Sequence, residues 1–306
     1  MKYLLNLILL SSICSFCQAQ KVKPALNLTK GNTYYMVSTA TSSVLQTING
    51  QQNTINVTMA FKMAFKVTDV VDTIYKMEVN YQTLSMKIQA GTATIDMDSK
   101  KKDTSDIPSS IIGGMMNQPF NISMSKSGKV YSVENIENMI NGVFSKFKGV
   151  NTAKKEQIKQ QFLSSFGAKA FKGSIEMGTA VFPSKAVAVD DKWIVNTKLD
   201  AVIVANVQTT FQLITIVDNS YRIMGDGKVN TDLTAPPATI NGMPVKYNIN
   251  GTVITDIVLD KKTGWITNFK LKQAMQGTVD ILDNPSVPGG MSIPMTVNND
   301  QTITDK

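Results

Sequence analysis

The stretch VTMAFKMAFKVT, residues 57–68, decides how the rest of the chain is read. Its odd positions, Val57, Met59, Phe61, Met63, Phe65 and Val67, are large and apolar, whereas the even ones are threonine, alanine or lysine. Unbroken alternation with a period of two is the side-chain geometry of a strand, so this segment is predicted to be long, extended and buried on one face. Downstream, Tyr75, Met77, Val79 and Tyr81 keep the same step, and after a slip of one residue Leu84, Met86 and Ile88 take it over. Such a slip predicts a β-bulge, which bends a sheet.

The pattern extends outward in both directions. Ile122 and Met124 run into Lys126-Ser127-Gly128 and out through Val130 and Tyr131, the form of a hairpin whose glycine supplies a positive φ. Two helices are predicted next. Ile136, Met139, Ile140, Val143, Phe144 and Phe147 fall at three- and four-residue steps behind Ser132 as N-cap; Ile158, Phe162, Leu163 and Phe166 form a second stripe that Gly167 can close. After Pro183, strands are predicted from Trp193 to Val204, Val207 to Val217, Tyr221 to Val229, Val245 to Leu259 and Trp265 to Leu271. Two stretches read as loose: Asp96 to Ser110, capping a sheet end, and Asn284 to Pro294, tying a short last strand, Ile293 to Val297, to the body. The fold class expected is mainly β, in the α+β sense, with curved antiparallel sheets and about two helices packed on them.

The strand order reads twice. Gly31-Asn32-Thr33-Tyr34-Tyr35-Met36 matches Asp190-Asp191-Lys192-Trp193-Ile194-Val195, and Phe65, Val67 and Val71 to Met77 match Phe211, Leu213 and Val217 to Ile223. Lys126-Ser127-Gly128-Lys129-Val130 then parallels Lys262-Thr263-Gly264-Trp265-Ile266, in the same order in both halves. Hairpin chemistry alone would not preserve that order, so an internal duplication is expected, with halves related by a pseudo-twofold. Its first half covers about 28–150, a helical connection about 133–172, its second half about 184–282, and a tail 283–306.

This layout, with its aromatic-led entry strand, long alternating strands, Ser-Gly hairpin, two helices and a re-entry from Pro183 to Trp193 ending Val-Asp-Asp-Lys-Trp, resembles domain-of-unknown-function family 6263. The resemblance spans most of the chain and rests on turn and strand signals. It implies an exported protein of the Bacteroidota and a β-rich fold style, and it brings no catalytic residue. Asp72-Thr73-Ile74 has the form of the O-glycosylation acceptor used in that group, with Thr73 as the modified residue, and also suits a plain turn.

Export is expected from the N-terminus as well. Lys2, the apolar run Leu4 to Leu10 and Cys17-Gln18-Ala19 before Gln20 match the three parts of a cleaved signal, with cleavage between Ala19 and Gln20. The run is too short to span a bilayer, and no later stretch of the mature chain compensates, so no transmembrane segment is expected. Both cysteines, Cys14 and Cys17, lie inside the signal, which leaves 20–306 as a unit held by packing without disulfides. The formal charge of +8 is carried almost wholly by lysine, Arg222 being the one arginine, and no basic cluster interleaves with aromatics. Nucleic acid is therefore not an expected partner.

The chain contains no histidine. That removes Ser-His and Cys-His nucleophilic catalysis and imidazole or thiolate metal sites, so neither a catalytic residue nor a cofactor is assigned. Carboxylate-pair hydrolysis and Ser/Lys catalysis remain open. The glutamates Glu78, Glu134, Glu137, Glu156 and Glu176 read as structural acids, Asp96 and Asp98 as a strand end with at most a weak calcium match, and Asp190-Asp191 and Asp226-Gly227 as turns. Seventeen methionines are many, and several accompany phenylalanine on strand faces. Such faces suit either ordinary core filling or a surface that accepts varied apolar partners. Two functions follow. One is an exported, non-catalytic envelope protein holding a lipid-like ligand on a face built from Met59, Phe61, Met63, Phe65 and Met77, closed by Ile136, Met139 and Phe144. The alternative is a structural module with a filled core that meets an envelope protein as partner.

Overall fold

The computed structural model describes residues 21–101, 103, 105–147, 151–240 and 242–306. The first half runs β1 (Thr33–Ile48), β2 (Gln51–Val71), β3 (Ile74–Ala90), β4 (Ala93–Asp98), α1 (Ile107–Gly114), β5 (Phe120–Ser125) and β6 (Val130–Glu134). Three helices follow, α2 (Ile136–Ser145), α3 (Thr152–Phe166) and α4 (Ala168–Thr179). The second half is β7 (Lys192–Asp200), β8 (Val204–Val217), β9 (Ser220–Thr231), β10 (Ala238–Ile240), β11 (Met243–Asp260), β12 (Ile266–Ile281) and β13 (Met291–Thr304). The mainly β class expected from the alternation is the one observed, and all strands join one antiparallel sheet in the order β6-β5-β3-β2-β1-β13-β12-β11-β9-β8-β7, with β4 added on β3 and β10 on β11, not closed into a barrel.

The alternation of residues 57–68 sets the two faces. Met63, Phe65 and Val67 are buried while Lys66 and Thr68 are exposed. Opposite them, Lys62 pairs with Thr83 but Met63 pairs with Tyr81, so Gln82 is the extra residue of a bulge and both Tyr81 and Leu84 turn inward. The slip in the sequence is this bulge.

The two halves share strand order, β1-β2-β3-β5-β6 and β7-β8-β9-β11-β12, and finer detail. Tyr34 pairs with Phe65 as Trp193 pairs with Phe211. The register shifts between Val67 and Asp69 and again between Leu213 and Thr215, at matching positions. The amide of Gly31 bonds the carbonyl of Val67 and that of Asp190 bonds Leu213, with both turn residues at positive φ, 88° and 72°. Tyr75 and Tyr221 are each the second residue of their strand, directly after a two-residue turn.

Four differences from the sequence reading have physical causes. The stretch 283–306 is not a peripheral tail with a short strand: β13 has fourteen residues and lies between β1 and β12. Helix α1 occupies the second part of the stretch read as loose, capped by Asp106, whose carboxylate accepts the Ser109 amide at 3.1 Å, and started by Pro108. Ser132 belongs to β6 and does not cap α2; Asn135 stands at that N-cap in a left-handed conformation, φ 69°, which asparagine tolerates. Gly167 ends α3 with its amide on the Leu163 carbonyl at 2.8 Å and also starts α4, a further helix whose glycines blur its apolar stripe.

Those glycines let α4 close the sheet. It packs on both terminal strands, β6 and β7, so the sheet curls until its two edges meet one helix. A Cβ at Gly173 would stand 3.0 Å from the Lys198 carbonyl oxygen of β7. On the other side the Glu176 carboxylate accepts the Val130 amide of β6 at 2.7 Å, and the Thr179 hydroxyl donates to the Gly128 carbonyl at 2.7 Å. The β6 edge thus gives polar groups to α4, and the β7 edge is covered by the helix packed on it, which keeps both from a foreign strand.

Surface ion pairs tie neighbouring strands. Arg222 grips Asp256 with both ends of its fork at 2.9 and 2.8 Å and holds that carboxyl below its usual range. The Thr234 hydroxyl, then the Lys198 ammonium, hold the Asp232 carboxyl down to about 2. A carboxyl lowered on folding contributes stability that is fully present above its unfolded value, near 4, and lost as pH falls through its folded value. The urea midpoint is therefore expected to be level from pH 7 to 5 and to fall between about pH 4 and 2. In Asp232→Asn the fall should be shallower; an identical fall would remove Asp232 from the account.

Candidate functional site

Inside the curl, register decides which side chains face the helices. Across the sheet, Met59 pairs with Ala40, Ala40 with Gln301 and Gln301 with Leu271, so these residues form one inward row. One turn of pleat along, Val57, Ser42, Asn299 and Gln273 form the next. Below these rows the interior is full: Phe65, Met77, Ile136 and Phe144 are buried in one continuous core, with Phe65 edge-on to Trp265 at 5.4 Å. At the level of the rows it is not. A cavity of about 400 Å³ remains between β1, β2, β3, β12 and β13 on one side and the ends of α3 and α4 on the other.

The cavity has two unlike walls. Met59, Phe61, Met63, Tyr81 and Met86 from β2 and β3 make an apolar wall, faced by Phe166 of α3 and Phe171, Ile175 and Met177 of α4. Gln273, Asn299, Gln301 and Ser42 make the other. Phe171 is fixed by edge-to-face packing on Phe120 at 4.8 Å, and burial pushes the Tyr81 phenol well above its usual range, so it stays neutral. Ser165 and Ser174, both exposed, stand on the helix side. Across α3, a second hollow of about 390 Å³ lies against the 232–240 turn and Tyr247.

Of the eight residues expected to form an apolar ligand face, Met59, Phe61 and Met63 line the cavity. Phe65, Met77, Ile136 and Phe144 are core, and Met139 packs against that core, part-buried, outside the lining. The helices that close the site are α3 and α4, and α2, which carries Ile136, Met139 and Phe144, stands behind them. Sequence reasoning missed the polar wall and α4; residues 298–302 are all polar, so no alternation marks which of them face inward. Thr73 is exposed in the β2–β3 turn, its carbonyl accepting the Lys126 amide at 3.1 Å. Ala19 and Gln20 lie outside the described residues.

No group of three or more potential metal ligands occurs among the described residues. Asp96 instead accepts from Lys101 at 3.3 Å, and Asp98 accepts the Lys100 amide at 2.9 Å. The carboxyls with resolved shifts, Asp69, Asp103, Asp106, Glu156, Asp232 and Asp256, are all lowered, the direction opposite to that of a general acid. No helix among the described residues is long and apolar enough to cross a membrane.

Sheet and cavity together define a class: an open, curled antiparallel sheet whose concave face is covered by helices and keeps a partly apolar hollow. Within it, the chain belongs to the family of unknown function DUF6263, whose model matches residues 72–266. No curated protein matches the chain. Among solved structures it is similar to lipovitellin in a structure of lipid-protein interactions, at 11% identity and a TM-score of 0.47, over 92% of this chain and 25% of that one. It also resembles an outer membrane channel of Pseudomonas putida F1, at 8% identity and a TM-score of 0.24, over 91% and 97% of the two chains. The translocator domain of the autotransporter NalP from Neisseria meningitidis matches at 6% identity and a TM-score of 0.21, over 91% and 90%.

Proposed function

We propose that this protein is a non-catalytic carrier of the cell envelope that holds a lipid-like molecule between its curled sheet and α3 and α4. The observation that carries this reading is the hollow of about 400 Å³ lined by Met59, Phe61, Met63, Phe166, Phe171 and Met177. Ligand sites occupy roughly 300–1,000 Å³ and are mostly apolar with a few placed polar groups, a description this hollow meets. Methionine-rich walls accept apolar chains of varied shape, because the thioether side chain is unbranched and polarizable. The signal-like N-terminus supports a site outside the cytoplasm. The lack of histidine, and carboxyls that are lowered wherever they are shifted, support a role in binding without catalysis.

Ala40 faces the hollow from the middle of β1 between Met59 and Gln301. Ala40→Trp is expected to fill it. Native mass spectrometry of protein purified from its own envelope should show a co-purifying apolar adduct in the original chain and none in the variant, with thermal unfolding of the two within a few degrees. An original chain that arrives empty and takes up no amphiphile would end the proposal.

A further inference from the structure

We infer that the hollow selects amphiphiles with an uncharged, hydroxyl-bearing polar end, the monoacylglycerol type, over fatty acids and phospholipids. This rests on the lipid-binding reading above and adds the chemistry of the head.

The polar wall is made of amides and a hydroxyl. Asn299 donates through Nδ2 to Gln273 Oε1 at 2.6 Å, and Gln301 donates through Nε2 to the Ser38 hydroxyl at 3.0 Å, Ser38 being fully buried. These two bonds lock the three amides in place on adjacent strands. They also leave both N–H groups of Gln273, and a second N–H and the carbonyl of Asn299 and of Gln301, without a partner among the described residues. The set presented to the hollow therefore holds both donors and acceptors. An alcohol, which donates and accepts, can satisfy both kinds at once. A carboxylate or phosphate only accepts, so it could use the amide N–H groups but would leave the Asn299 and Gln301 oxygens unpaired.

Charge points the same way. Among the described residues, lysine, arginine and glutamate are absent from the lining, so none of these would compensate an anionic head taken out of water. The single acid at its margin, Asp300, sits at the opposite step of the β13 alternation, and its carboxylate pairs across the outer face with Lys272 at 3.2 Å. A site with fixed, buried hydrogen-bonding groups discriminates strongly against a head that cannot pair with them. The apolar wall of Met59, Phe61 and Met86 would take the acyl chain on the other side.

The test compares 1-monolaurin with laurate at pH 8, by isothermal titration below their micellar concentrations on delipidated protein. The expected result is monolaurin binding at least ten-fold tighter than laurate. Gln273→Leu should bring the two within about three-fold by weakening monolaurin. Gln301→Lys, which adds a cation to the polar wall, should reverse the order. Circular dichroism and melting checks keep a folding failure of one variant from being read as lost selectivity, and the original chain alone already decides the ratio. Laurate binding as tightly as monolaurin, or a preference untouched by both variants, would overturn the inference about the head while leaving a lipid site standing. Binding of neither amphiphile would overturn the carrier reading with it.

Discussion

Trp265→Ala is expected to cost about 3–5 kcal/mol of unfolding free energy, the range for emptying a large aromatic from a packed core. Trp265 is 4% exposed directly before β12, yet its partners belong to the other half of the chain. Its ring meets Tyr34 at 5.3 Å and Phe65 at 5.4 Å, and its indole N–H donates to the Tyr35 carbonyl at 2.8 Å. The substitution removes a core side chain, two ring contacts and a hydrogen bond, all of them between halves. Urea unfolding with matched slopes checks the value. A loss below about 1 kcal/mol would mean that the halves are held by the sheet alone.

Gly128→Val is the second large effect. Gly128 lies at φ 77° in the β5–β6 turn, where a side chain is already strained, and any Cβ there would overlap the Thr179 carbonyl of α4. Backbone does not yield as a flexible side chain would, so the helix end must retreat and release the Thr179–Gly128 and Glu176–Val130 bonds. A loss of about 3 kcal/mol or more is expected, since strain, a clash and broken buried bonds act together. Gly91→Val is the control: φ is 57° with open space around it, so only the conformational cost of roughly 1–2 kcal/mol applies. Equal losses in the two variants would remove the helix contact from the account. Hydrogen exchange should show the extra loss concentrated in β6 and α4.

What could be read in advance follows the physics of each segment. The long strands were legible because one face is buried and the other wet, which prints a period of two, as in Val57 to Val67. The bulge between Tyr81 and Leu84 was legible as a slip in the alternation, whereas the matching bulges after Val67 and Leu213 were not read in advance. β13 was only partly legible, because its inward positions change from Ile293, Met295 and Val297 to Asn299 and Gln301 where it passes the hollow. Apolar alternation therefore stops although the strand continues. Asp226-Gly227, expected as a turn, lies inside β9, because Gly225 and Gly227 leave room for Phe211 and Thr209 above them. Glycine there serves close packing, which one strand read alone cannot reveal. Met59, Phe61 and Met63 were legible as one apolar strand face, which suits core filling as well as a cavity wall; the polar wall was not legible, because an inward amide in a strand looks like a surface residue until the register is known.

The place of β13 has a consequence for how the molecule is assembled. The two halves each form their strands from neighbouring segments, but in the sheet, among the described residues, they are joined only by β13, which pairs Val37 to Gln46 on one side and Asn268 to Ile281 on the other. The β12–β13 pairing is a local hairpin, whereas the β1–β13 pairing joins the two ends of the chain and closes late, because a long loop must be ordered before its contacts form. Until β1 and β13 meet, each presents unpaired backbone to solvent, and the chain is two open half-sheets. Folding should therefore show a fast phase within the halves and a slower one that joins them, and only the slower phase creates the hollow.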